Sequence, residues 1–167
     1  ITGQIRTLPM PRLITVAANS VRQQVTEQVP ATVRIIDESE KEDAFAAATV
    51  ALAASGTVTT EVALQGTPVV VGYKLGWITW AIARAFLLKT KYATLMNVAA
   101  DAEVAPEFIQ TRCTPENIAA AAAPMLDSPD SREDQIRAQD EALAKMGRGS
   151  TPAADIAADT VLSVMAS

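Results

Sequence analysis

The chain has 167 residues, a formal net charge of −5 and 49% hydrophobic residues, enough apolar mass for one domain with its own core. Its sequence pI near 4.7 gives no basic footprint for phosphate backbones, so nucleic acid is excluded as a partner. One cysteine, Cys113, and no histidine together exclude internal disulfides, Cys/His zinc sites and every imidazole-based catalytic mechanism.

The opening segment, ITGQIRTLPMPR, lacks the charged-then-apolar plan of a signal peptide and reads as a helix end and a loop. The first strand is predicted over 12–18 (RLITVAA), so the chain looks as if it starts one βα unit late for a doubly wound sheet. Ser20 is the expected N-cap of a helix over VRQQVTEQV, with Val21 and Val25 sharing a face. A strand over 32–36 (TVRII) follows, then a helix over EKEDAFAAA with acidic residues in its first turn. Two more strands are predicted, TVALAA over 49–54 and TPVVVGY over 67–73. Strands alternating with helical patterns indicate a parallel α/β sheet. Their continuous hydrophobicity predicts cover on both faces.

Beyond Gly76 the pattern changes. The run over 75–88 (LGWITWAIARAFLL) predicts an apolar helix that is too short to span a bilayer and is interrupted by Arg84, so no transmembrane segment is expected. A strand is predicted over 91–97 (KYATLMN), followed by three helices. Thr114 with Pro115 opens the first of these, Ser131 the second, and Thr151 with Pro152 the third. Gly147 and Gly149 end the penultimate helix, and the last carries Ile156, Ala157, Thr160, Val161 and Val164 on one stripe that needs a partner.

The stretch ASGTVTTEVALQG over 54–66 holds the chemistry. A glycine turn enters a helix whose first turns contain Thr57, Thr59, Thr60 and Glu61. A helix N-terminus offers free amides and the positive end of the dipole, glycine admits a ligand to the backbone, and hydroxyls add donors for phosphate oxygens. Glu61, one turn further in, suits the two hydroxyls of a ribose. The plainer reading is that Ser55 or Thr57 caps the helix and Glu61 gains from the dipole; spacing alone leaves both open. Neither G-x-G-x-x-G nor G-x-x-x-x-G-K-[ST] is present.

From about Arg12 onward, ASGTVTTEVALQGTPVVVGYK, KYATLMNVAADAEVAPEFIQ and AADIAADTVL occur in order. They resemble the carboxyl-terminal half of lipid-A-disaccharide synthase, a GT-B glycosyltransferase family. The resemblance implies a Rossmann-like parallel sheet with helices on both faces, lacking its first strand and followed by C-terminal helices. It implies a donor-binding domain over 1–127, with helices over 128–167 that pack on a partner domain or subunit. The implied reaction moves 2,3-diacylglucosamine from UDP to 2,3-diacylglucosamine 1-phosphate. Ser55, Gly56 and Thr57 would face the diphosphate, with Thr60 in support and Glu61 on the ribose. Asn97 would approach the donor sugar or diphosphate, and Glu107 and Gln110 of the Pro-Glu-x-x-Gln element would lie near the donor.

Two departures from the family pattern matter. The Pro-Gly-Ser-Arg turn with which the family's donor domain begins has no counterpart in this sequence. The acceptor domain with its acidic base is absent too, so no catalytic residue is expected in this chain, and alone it is expected to be inactive. The resemblance implies no metal and no cofactor, a lipid acceptor bound through the other domain, and a cytoplasmic location with peripheral contact to the inner membrane. Trp77, Trp80, Phe86 and Leu88, flanked by Lys74 and Lys89, suit either a membrane surface or packing against another domain or a second subunit of a homodimer. The alternatives in function are another UDP-sugar GT-B transferase or epimerase, or a non-catalytic nucleotide-binding module.

Overall fold

The structure, a computed structural model, describes residues 14–54, 56–76, 91–149 and 153–165. Strands β1 (Ile14–Ala17), β2 (Arg34–Asp37), β3 (Ala51–Ala53), β4 (Val69–Tyr73) and β5 (Glu107–Ile109) are joined by helices. The helices are α1 (Arg22–Gln28), α2 (Lys41–Ala47), α3 (Thr57–Leu64), α4 (Leu95–Ala100), α5 (Pro115–Asp127), α6 (Pro129–Lys145) and α7 (Ala153–Met165). All pairing is parallel, in two ladders: β1 with β2, and β3-β4-β5. In a doubly wound sheet of order 3-2-1-4-5-6, the pairs 2-3 and 4-5-6 lie on opposite sides of the first strand. The two ladders reproduce those pairings, and among the described residues β1 and β3 are not bonded to each other.

The core forms around β4, whose Val69, Val70 and Val71 are β-branched and enclosed. Side chains alternate across a strand. Val69 and Val71 accordingly join Val62, Ala63, Met96, Ala142 and Leu143 on one face, while Val70 joins Ala122 and Met125 on the other. Gly72 repeats the orientation of Val70, and a Cβ there would stand 2.9 Å from Cδ1 of Ile118. The glycine therefore lets α5 approach the sheet.

Cover on both faces, expected for every strand, holds only for β4. Leu52 in β3 is 49% exposed and Ile14 in β1 is 42% exposed. Leu52 shares the face of Val70, and Phe45 of α2 packs with Ala51 and Ala53 on the opposite face; α1 buries none of its own residues over β1.

The expected helix starts shift slightly. Val21, not Ser20, occupies the N-cap of α1, without a side-chain cap. Thr114 caps α5 as expected, accepting from the amide of Asn117 at 3.3 Å with Pro115 at the first helical position. Ser128, not Ser131, caps α6 and accepts from the amide of Ser131. Gly147 follows the end of α6 with φ of 100°.

The strand expected over 91–97 is replaced by α4. Its residues, Leu-Met-Asn-Val-Ala-Ala, are mostly unbranched helix formers, so little favours an extended chain. The fifth strand lies instead at Glu107–Ile109, where Val71 donates to the carbonyl of Pro106 at 2.8 Å.

Ser128 lies between α5 and α6. Helix α6 belongs to the core through Gln139, Ala142 and Leu143. On α7, by contrast, Val161, Leu162, Val164 and Met165 are exposed. The apolar run over 77–90 lies outside the described residues.

Candidate functional site

Parallel pairing brings the carboxyl ends of β3, β4 and β5 to one edge, where ligands of open α/β sheets bind. The turn after β3 reaches α3 through Gly56, whose φ of 145° and ψ of −164° lie in a region open essentially to glycine. A Cβ there would meet nothing within 4 Å. Backbone conformation rather than crowding therefore selects the glycine. Ser55 lies outside the described residues.

Gly56 is the N-cap of α3 and brings no side-chain acceptor to the first-turn amides. The capping reading for Thr57 fails accordingly: Thr57 is the first residue of the helix and is exposed. Thr59 faces the core and ties the turn together, its hydroxyl donating to the carbonyl of Gly56 at 2.7 Å. Among the described residues, the enclosed hydroxyl of Thr60 has no hydrogen-bond partner. A buried hydroxyl left unpaired costs about 1–3 kcal/mol.

Glu61 is paired with Lys41, the first residue of α2, with Nζ 2.8 Å from Oε2. Hydrogen bonding and then Coulombic attraction from Glu61 hold the Lys41 ammonium above its ordinary value; desolvation opposes this, and Glu38 and Glu42 assist. Lys41 is a residue the sequence did not single out. No local motif marks it, because its partner lies in another helix.

The other expected site residues are used internally. Asn97 is fully enclosed in α4: its Nδ2 donates to the carbonyl of Ala105 at 2.8 Å, and its Oδ1 accepts from the amides of Val104 and Ala105 at 2.9 Å each. Its carboxamide thus holds the loop that leads into β5. Glu107 is buried and accepts from the amides of Ala93, at 3.1 Å, and Thr94, at 2.9 Å. Gln110, with a left-handed φ of 53°, grips Leu75 twice: Oε1 accepts from its amide at 2.8 Å and Nε2 donates to its carbonyl at 3.2 Å. Glu107 and Gln110 therefore anchor both flanks of the 77–90 run, Leu75 on one side and Ala93-Thr94 on the other. The structure gathers Gly56, Thr57, Thr60 and Glu61 in one helix start, and places Asn97, Glu107 and Gln110 in a separate bracing network.

An open groove of about 410 Å³, lined by Glu103, Val104, Pro106, Ser131, Asp134, Gln135 and Ala138, lies at the amino ends of β4 and β5. It is acidic and away from the glycine turn. Among the described residues no cluster of three or more metal-ligating side chains occurs, and no helix is long and apolar enough to cross a membrane.

Parallel strands flanked by helices, with a glycine turn into a helix at their carboxyl edge, define a Rossmann-like α/β protein of the kind found in GT-B halves. The family model described as lipid-A-disaccharide synthetase matches residues 7–161, and the chain belongs to that family. Among similar curated proteins, lipid-A-disaccharide synthase of Rhodospirillum centenum is 36% identical over 148 residues, covering 89% of this chain and 37% of that protein. The synthase of Ruegeria pomeroyi is 40% identical over 153 residues, covering 87% of the chain and 37% of that protein. That of Gluconobacter oxydans is 33% identical over 157 residues, covering 94% and 38%. The chain thus spans little more than a third of the length of these relatives.

Proposed function

We propose that this chain is the donor-binding half of a glycosyltransferase of lipid A biosynthesis, transferring 2,3-diacylglucosamine from UDP to 2,3-diacylglucosamine 1-phosphate. The observation that carries the reading is the start of α3: a glycine N-cap without a side-chain acceptor, at the carboxyl edge of parallel strands. First-turn amides without a side-chain cap, at the positive end of a helix, favour the diphosphate, with the exposed Thr57 hydroxyl beside them and Thr60 in support from within the helix. Ser55 and Gly56 complete this seat, and Glu61 takes the ribose. Asn97, Glu107 and Gln110 act one step removed, by fixing the backbone at 104–105, 93–94 and 75.

A departing UDP needs its developing charge met by such fixed donors. The acceptor, the base that activates it, and the central strand between β1 and β3 come from chain beyond these residues. Transfer requires base and acceptor to be poised against the donor carbon, so the half alone is inactive. The exposed apolar side of α7 serves as a contact to that other domain or to a second subunit, and the enzyme works at the cytoplasmic face of the inner membrane.

The test is reconstitution. The chain is mixed with its complementary acceptor domain, the diacylated UDP donor and the lipid acceptor, and UDP release is followed. Release that depends on the acceptor is expected; none from a verified folded complex would refute the transferase reading.

A further inference from the structure

We infer that Lys41 is a positioning residue of the nucleotide site, fixing one oxygen of the Glu61 carboxylate so that the other is presented to the ribose hydroxyls of a nucleoside diphosphate. The inference rests on the Glu61 reading above. Glu61 stands four residues after Thr57 and shares its face of α3, one turn from the uncapped amides. A glutamate side chain alone rotates about three bonds and would sample many orientations at this half-exposed position. Lys41 restricts that freedom: its Nζ lies 2.8 Å from Oε2 of Glu61.

The location of Lys41 is itself set by local structure. Asp37 ends β2 and opens a 3-10 turn with a capping box, the carboxylate of Glu40 accepting from the Asp37 amide at 3.2 Å. Helix α2 therefore begins at Lys41. The ammonium has nearer acidic neighbours in sequence, Glu38 and Glu42, yet its hydrogen bond goes to Glu61. The pair joins the turn after β2 to the turn after β3, two segments that sequence alone does not connect.

The test is calorimetric titration of the chain with UDP, 2′-deoxy-UDP and inorganic diphosphate, for wild type, Lys41→Met, Lys41→Arg and Glu61→Gln. The wild type is expected to prefer UDP over its deoxy analogue, and Glu61→Gln to lose that preference. Lys41→Met should reduce the preference about two- to fivefold, the range of an exposed ion pair, with diphosphate affinity unchanged and Lys41→Arg restoring it. Equal losses for all three ligands would mean that Lys41 acts only as a diffuse charge, and would overturn the inference. Full preference retained by Lys41→Met, but lost by Glu61→Gln, would overturn it while leaving the Glu61 reading intact. A wild type that binds no UDP, or binds both nucleotides equally, would bring down both.

Discussion

Replacing Gln139 by methionine tests how the central strand is held. Successive amides of a strand point to alternate sides, and that of Val71 points toward β5, bonding Pro106. The amide of Val69 points the same way, but β5 begins only opposite Val71. Gln139 fills the gap from α6: Oε1 accepts from the amide of Val69 at 3.1 Å, and Nε2 donates to the carbonyl of Thr67 at 3.1 Å. Its neighbour Gln135 donates to the carbonyl of Val69 at 2.8 Å and to Oε1 of Gln139 at 3.0 Å. Methionine has nearly the same shape and provides neither bond. Two backbone groups are then orphaned beside a fully enclosed side chain, at about 1–3 kcal/mol each. Burying the thioether returns roughly 1–2 kcal/mol of that. The expected net loss is about 2–4 kcal/mol, a large part of the roughly 5–15 kcal/mol typical of a domain. Urea denaturation followed by far-UV circular dichroism should show the midpoint falling by roughly 1–2 M with the slope unchanged. A variant within about 0.5 kcal/mol of wild type would refute the claim that this side chain completes the ladder.

Glu107→Ala should destabilise by roughly 2–5 kcal/mol, since the amides of Ala93 and Thr94 lose their acceptor. UDP affinity of the folded variant should stay within about twofold of wild type; a large affinity loss at unchanged stability would put the carboxylate on the ligand. Lys41 predicts an alkaline effect. Its folded value is raised above the ordinary 10.5, so its contribution is complete below that value and is lost as pH rises through the raised one. Melting temperature should therefore fall more steeply above that range in wild type than in Lys41→Met, and parallel curves would show that the pair contributes nothing to stability.

Sequence by itself determined the class of fold and the place of the glycine turn. The four apolar runs before Gly76 became β1 to β4, because β-branched and apolar runs between helical patterns have few other ways to bury themselves. Gly56 was legible because its backbone conformation is a local property that glycine alone satisfies. The helix at Leu95–Ala100 and the strand at Glu107–Ile109 are not legible in the sequence. A short apolar run is ambiguous between helix and strand, and β5 exists because Val71 and Tyr73 offer it an edge, which no local pattern records.

Tertiary structure decided which polar side chains are free and which are spent. Asn97, Glu107 and Gln110 looked alike as polar residues in a motif, but each is engaged by backbone groups from elsewhere in the chain. Lys41 was invisible as one lysine among acids until α2 and α3 were set side by side. Hydrogen bonds and ion pairs act over about 3 Å in space, without regard to separation along the chain, so their partners follow from packing. Periodicity and turn chemistry act between near neighbours in sequence, and these are the parts that the residues announced on their own.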